Sequence, residues 1–172
     1  QLALNPVSQS LGIGQGVGVH DGYVQFSAMV GVLADVIEET LVRTKIERLK
    51  IGDFVNVERS LKYGDEIGGH LVSGHVHGVA KIARIEKNCF WFSIDPTFIK
   101  YIFSKGFIAL DGCSLTVVEA DRAQSQFSIC FIPETLARTT FGKVVVGDLV
   151  NVEVDQMTKT IVETVERVTC NI

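Results

Sequence analysis

An eight-residue pattern occurs twice in this chain at an offset of 95 residues: Ile37-Glu-Glu-Thr-Leu-Val-Arg-Thr44 returns as Ile132-Pro-Glu-Thr-Leu-Ala-Arg-Thr139. A second pattern keeps the offset, Gly52-Asp-Phe-Val-Asn-Val-Glu58 returning as Gly147-Asp-Leu-Val-Asn-Val-Glu153. Two copies in one register mark a duplicated unit, which constrains the fold before any local propensity does. One chain then carries two similar pockets, an arrangement suited to chemistry on two similar molecules. The 172 residues fit two small domains better than one large one. Domains of this size bury proportionally little surface, so they are expected to lean on each other or on another chain.

Strand signals dominate within each copy. Val150-Asn-Val-Glu-Val154 alternates apolar and polar residues, Phe90-Trp-Phe-Ser-Ile94 does so in part, and Leu115-Thr-Val-Val118 is rich in β-branched residues. Gly52-Asp53, Gly64-Asp65, Asp111-Gly112 and Gly147-Asp148 punctuate these runs. Short strands at such spacing predict small β-barrels. Three helices are expected. Asp95-Pro96 caps one over Thr97–Ser104, with Ile99, Ile102 and Phe103 on one face. Pro133–Leu136 forms a single turn. A longer helix follows Asp155, with Ile161, Val165 and Val168 at helical spacing for a domain or oligomer contact. The expected units are residues 1–65, 66–155 and the terminal helix 156–172. The turn His20-Asp21-Gly22 lies much nearer the start than Asp111-Gly112 lies to its own unit's opening. The first unit is therefore expected to lack its opening strand, about twenty residues long; termini are the usual place for such losses.

An apolar content of 47 % supports a real core, and a net charge of −4 without a basic run excludes nucleic acid and anionic membrane as partners. No apolar stretch approaches membrane-spanning length, and no signal-peptide pattern is visible. Cys89, Cys113, Cys130 and Cys170 form no CxxC pair and no zinc spacing, so reduced thiols in a cytosolic protein are expected.

Several polar residues could carry chemistry. His70, His75 and His77 lie close in sequence but lack a third metal ligand, so no metal site is expected. His75 is the more attractive proton carrier. Ser114 and Thr116 share one face of a strand after a turn, with Cys113 and Leu115 facing the core. The two hydroxyls bind the polar edge of a heterocycle or simply face water. Lys105 is either a solvated loop lysine or one closing over a pocket. Asp155 is either the N-cap of the terminal helix or a functional carboxylate. No phosphate loop, dinucleotide fingerprint or nucleophile elbow is present; the glycine-rich run Gly12–Gly18 precedes a strand-like segment.

The set Val55-Asn-Val-Glu-Arg59, Gly68-Gly-His-Leu-Val-Ser-Gly-His75, Lys100-Tyr-Ile102, Lys105-Gly106, Asp111-Gly-Cys-Ser-Leu-Thr-Val117, Ile132-Pro-Glu-Thr-Leu136 and Val150-Asn-Val-Glu-Val-Asp155 resembles the riboflavin synthases, from about Asp35 to Arg167. The resemblance implies an all-β fold of tandem duplicated six-stranded Greek-key barrels with a C-terminal helix. It implies a homotrimer with active sites between subunits, and lumazine synthase as a further partner. The implied reaction is dismutation of two 6,7-dimethyl-8-ribityllumazine molecules by transfer of a four-carbon unit, with no metal or organic cofactor. The implied location is the cytoplasm, or the plastid stroma in a plant. By motif, the catalytic set is His75, Lys105, Ser114, Thr116 and Asp155. Substrate-binding positions are Asp35, Val36, Ile37, Glu38, Glu39 and Thr40 in the first unit. In the second they are Gly74, Val76, Leu115, Cys130, Phe131, Ile132, Pro133, Glu134 and Thr135.

The first unit departs from this pattern. Its strand reads Tyr23-Val-Gln-Phe-Ser27, so Val24 and Phe26 stand where Ser114 and Thr116 stand in the second. That departure keeps open an alternative, a non-catalytic lumazine- or flavin-binding antenna protein. A two-barrel interaction module without a small ligand explains the repeat but not the polar cluster.

Overall fold

Short β-branched and aromatic runs broken by Gly-Asp and Asp-Gly turns fold this chain into antiparallel sheet. The computed structural model describes residues 9–20, 23–28, 33–36, 38–50, 53–57, 63–64 and 67–170, with backbone only before residue 38. The described residues open with β1 (Gln9–His20), β2 (Tyr23–Ala28) and β3 (Leu33–Val36). Helix α1 (Glu38–Arg43) and a 3-10 turn at Lys45–Arg48 lead to β4 (Phe54–Val57). These four strands form an antiparallel sheet in the order β3-β2-β1-β4.

The rest of the chain supplies β5 (Gly78–Glu86), β6 (Cys89–Ile94), β7 (Phe107–Leu110), β8 (Cys113–Thr116), β9 (Glu119–Asp121) and β10 (Gln126–Cys130). Helix α2 (Pro133–Arg138), β11 (Leu149–Val154) and helix α3 (Gln156–Thr169) complete it. The sheet order is β8-β7-β11-β5-β6-β10-β9, with every pair antiparallel. This sheet curls until its ends meet. Its outermost strands β8 and β9 are consecutive in the chain, and the two residues between them bridge the gap. Val117 N–H donates to Gly106 O at 2.9 Å, beside β7, and Val118 N–H donates to Ser128 O on β10 at 2.8 Å. By turn position, β1, β2 and β4 match β7, β8 and β11. Among the described residues the first sheet holds no counterpart of the β5–β6 hairpin.

The alternation seen in the sequence sets the core. Phe90, Phe92 and Ile94 of β6 and Val150, Val152 and Val154 of β11 point inward. Phe131 stacks on Phe141 at 4.5 Å and meets Phe90 edge-on at 4.8 Å. Each such ring contributes about 2–3 kcal/mol by burial.

The two halves meet through the repeat itself. Asn56 Oδ1 accepts from Thr140 N–H at 2.9 Å, and Asn151 Oδ1 accepts from Lys45 N–H at 2.8 Å. Asn56 and Asn151 are repeat partners, and so are Lys45 and Thr140. Residue i therefore touches j, and their copies touch in return, as across a two-fold axis. Each asparagine satisfies the first free N–H of a 3-10 turn in the other half. Lys45 Nζ also pairs with Asp111 Oδ2, and Asn56 Nδ2 donates to Asp111 O at 3.0 Å.

Two expectations are corrected here. The helix over Thr97–Ser104 is only a 3-10 turn, Ile99–Tyr101. In such a turn residues i and i+3 eclipse, which sends Ile99 and Ile102 together into the core. Phe103 instead lies outside, 41 % exposed, beneath the Arg122 guanidinium at 5.0 Å. The expectation of four reduced thiols also fails, because Cys89 and Cys130 form a disulfide. They are direct partners across β6 and β10, next to the hydrogen bond from Phe131 N to Asn88 O. That makes theirs a non-hydrogen-bonded pair, the antiparallel position where facing residues approach closest. Cys113 and Cys170 are not disulfide-bonded.

The terminal helix forms as expected. It docks through Tyr101 Oη–Glu163 at 2.9 Å, Lys100–Glu166 at 2.6 Å and Val162 against the core. Met157, Ile161, Val165 and Val168 remain 56–72 % exposed.

Candidate functional site

The site is built on the β7–β8 hairpin. Asp111 and Gly112 both have positive φ, +45° and +79°. A two-residue type I′ turn requires this at both positions, which accounts for the Asp-Gly pair. The turn pairs Leu110 with Cys113 and so fixes the register of β8. Cys113 is buried and Leu115 packs on the core, as alternation requires; Ser114 is half-buried and Thr116 exposed. The buried Asp111 carboxylate holds this turn, accepting from Asn151 N–H at 2.8 Å and from Lys45. Burial pushes that carboxyl above its ordinary value, and the Lys45 charge opposes the shift.

Ser114 meets the incoming segment 68–77. His70 N–H donates to Ser114 Oγ at 3.2 Å, and His70 Nδ1 lies 2.7 Å from the same oxygen. The His70 ring stacks on Phe107 at 5.4 Å and 12°. Its Nε2 is buried and, among the described residues, has no hydrogen-bond partner. Burial pushes this imidazole below its ordinary value, against the pull of the Asp155 and Glu153 carboxylates. A neutral imidazole on a hydroxyl can take up or return its proton. The sequence reading grouped His70 with the other histidines and did not pair it with Ser114.

His75 is exposed and bonds elsewhere: its Nδ1 lies 3.0 Å from Ser73 Oγ. Ser73 and Gly74 are in turn held by Glu153 of β11. Glu153 Oε1 accepts from Ser73 N–H at 2.7 Å and from Ser73 Oγ at 2.8 Å, and Oε2 accepts from Gly74 N–H at 3.0 Å. Gly74 sits at φ +81°, a left-handed position that favours glycine. Val76 is half-buried and leads into β5. His77 belongs to the strand pairing, its N–H donating to Val152 O at 2.8 Å and its Nδ1 accepting from Val154 N–H at 3.4 Å. Its ring meets Phe98 edge-on. The three histidines thus point to three different partners. Among the described residues no group of three His, Cys, Asp or Glu side chains can hold a metal ion.

The remaining sequence-derived positions separate into groups. Asp155 caps α3: its Oδ2 accepts from Thr158 N–H at 2.8 Å and Thr158 Oγ1 at 2.7 Å. Burial raises its carboxyl, but the Thr158 hydrogen bonds and the His70 charge outweigh this and hold it below the ordinary value. It therefore fills the capping role and also faces the His70 side of the site. Lys105 is exposed at φ +67°, its N–H bonded to Val117 O at 2.8 Å in the loop before β7. Cys130 is exposed and held in the disulfide, and the Phe131 ring is buried in the core. Ile132 and Pro133 are exposed, Glu134 and Thr135 half-buried, at the start of α2. In the first unit Glu38 and Glu39 are exposed and Thr40 half-buried on α1. Asp35 and Val36 lie in β3, Val24 and Phe26 in β2; their side chains, and all of Ile37, lie outside the described residues.

The curled antiparallel sheet followed by a helix is that of lumazine-binding proteins. A family model described as the lumazine binding domain matches residues 73–155. Among solved structures, LumP complexed with riboflavin superposes with a TM-score of 0.74 at 18% identity, covering 87% of this chain and 97% of that one. LumP complexed with 6,7-dimethyl-8-(1'-D-ribityl) lumazine superposes at 0.70. Sequence relatives are nearer. A riboflavin synthase of Buchnera aphidicola subsp. Schizaphis graminum is 43% identical over 167 residues, 92% of this chain and 79% of that protein. That of Escherichia coli K12 is 50% identical over 139 residues, 78% of this chain and 64% of that protein. That of Chlamydia pneumoniae is 49% identical over 137 residues, 80% of this chain and 68% of that protein. The chain belongs to the riboflavin synthase family.

Proposed function

We propose that this chain catalyses the dismutation of two 6,7-dimethyl-8-ribityllumazine molecules to riboflavin and 5-amino-6-ribitylamino-uracil. The observation that carries this reading, beside family membership, is the His70–Ser114 pair at 2.7 Å. It sets a neutral base on a half-buried hydroxyl, at the strand face where the family resemblance leads us to expect substrate contact. Atoms balance between two substrate molecules and the two products, so the reaction needs no added oxidant or reductant. The C7 methyl of the lumazine is acidic, and His75 is the exposed base that removes its proton. Ser114, activated by His70, orients water or attacks the acceptor ring. Holding two rings face to face supplies much of the acceleration.

In this reading residues 1–65 and 66–155 are tandem Greek-key barrels, and 156–172 an oligomerisation helix. The reciprocal Asn56–Thr140 and Asn151–Lys45 bonds support the duplication. The exposed stripe Met157, Ile161, Val165 and Val168 supports assembly into a homotrimer with sites between subunits. Asp35 to Thr40 then form the first unit's contribution, and Thr116, Lys105 and Ile132 to Thr135 contact substrate in the second.

Incubating the chain with the lumazine and following riboflavin absorbance near neutral pH tests the reading. Steady formation of riboflavin is expected. Tight lumazine binding without turnover would instead identify a non-catalytic antenna protein.

A further inference from the structure

Glu153 is only 6 % exposed, yet its carboxylate accepts three hydrogen bonds, all from Ser73 and Gly74. A buried carboxylate persists only with such partners. Three N–H and O–H donors converging on its two oxygens match an ionised carboxylate, which can only accept. The Ser73 hydroxyl proton must therefore point at Glu153 Oε1. What Ser73 Oγ then offers to His75 Nδ1, 3.0 Å away, is a lone pair. Nδ1 must carry the proton, and Nε2 is left bare on an exposed ring. Which imidazole nitrogen is protonated is set by the bond the other one makes.

We propose that Glu153 and Ser73 are positioning residues that lock His75 in its Nδ1–H tautomer, so that Nε2 serves as the base. The inference rests on the proposed lumazine reaction, in which His75 takes the methyl proton. The C–H bond breaks, the N–H bond forms on Nε2, and the electron pair stays on the lumazine as a delocalised carbanion. The Glu153 charge, relayed through Ser73, faces the resulting imidazolium. Gly74 allows this with its left-handed turn, which points Ser73 and His75 back toward each other.

Histidine 15N NMR on the full chain, with steady-state kinetics, tests this. Neutral His75 is expected to show a protonated Nδ1 and an unprotonated Nε2. Ser73→Ala is expected to shift His75 toward the Nε2–H form that free imidazole favours. It should also lower kcat on the order of ten-fold while KM stays within about two-fold. Ser73→Thr keeps a hydroxyl and should restore both readouts. Glu153→Gln should shift the tautomer in the same direction; Ser73→Ala decides the matter if that variant does not fold. An Nε2–H tautomer in the unmodified protein, an unmoved tautomer in Ser73→Ala, or a kcat loss that Ser73→Thr does not recover would overturn the proposal. Absence of riboflavin formation by the unmodified chain would remove the reaction, whereas the tautomer shift would still establish the positioning role.

Discussion

The two ends of the reciprocal contact between the halves have diverged in an informative way. At both, an asparagine side chain caps the first N–H of the other half's 3-10 turn. At one end the capped residue is Lys45, whose side chain crosses to the buried Asp111 and so holds the turn that presents Ser114. At the other it is Thr140, whose buried Oγ1 has no partner among the described residues. The backbone bond has been kept in both copies while the side chain has become a structural tie in one and an idle group in the other. The tie runs from the first unit into the β7–β8 turn, so the hairpin that carries Ser114 depends on the first unit for its shape.

Substitutions can break this asymmetry. Asp111→Ala removes the acceptor of both Lys45 and Asn151 N–H and should cost about 3 kcal/mol in urea unfolding; a loss below about 1 kcal/mol would show that the tie is not needed. Asn56→Ala should cost about 2 kcal/mol, because Asn56 bonds both Thr140 N and Asp111 O, and Asn151→Ala about 1 kcal/mol. Equal losses would mean that the Asn56 bond to Asp111 contributes nothing. A smaller effect depends on pH and belongs to the second unit, where His70 sits on Ser114. The His70 imidazole lies below its ordinary 6.5 when folded, so the unfolded chain binds protons first as pH falls. Its contribution is complete above pH 6.5 and is lost as pH drops through the lower folded value. His70→Gln should therefore flatten the acid side of the thermal-melting profile relative to the unmodified chain. Thr140→Val should be neutral or stabilise by about 0.5 kcal/mol, since it removes an unpartnered hydroxyl; a melting temperature lowered by several degrees would reveal a bond at that oxygen.

Much of the second unit was legible in the sequence because the signals are local. Alternation located β6 and β11, the Asp-Gly turn set Ser114 and Thr116 on one face, and Asp155 marked the start of α3. The pairings of His70 with Ser114 and of Glu153 with Ser73 join residues 44 and 80 apart, and no local period encodes such contacts. One signal for Glu153 was present. It is an acidic residue inside the apolar run Val150–Val154, and a charge there invites a buried partner. The disulfide escaped for a similar reason, since Cys89 and Cys130 become neighbours only once β6 and β10 are in register. The helix expected over Thr97–Ser104 failed because its apolar spacing of three fits a 3-10 turn as well as a helical stripe.

The position of β11 has a consequence for biogenesis. It lies between β7 and β5 in the sheet, yet it follows every other described strand in sequence. Until residues 149–154 emerge from the ribosome, β5 and β7 each present an open edge to whatever is nearby. The curled sheet cannot close until these residues emerge; their late insertion also delivers Glu153 to Ser73 and the capping aspartate to α3. A nascent chain stalled before β11 would hold most of the core residues but neither a closed sheet nor an ordered histidine.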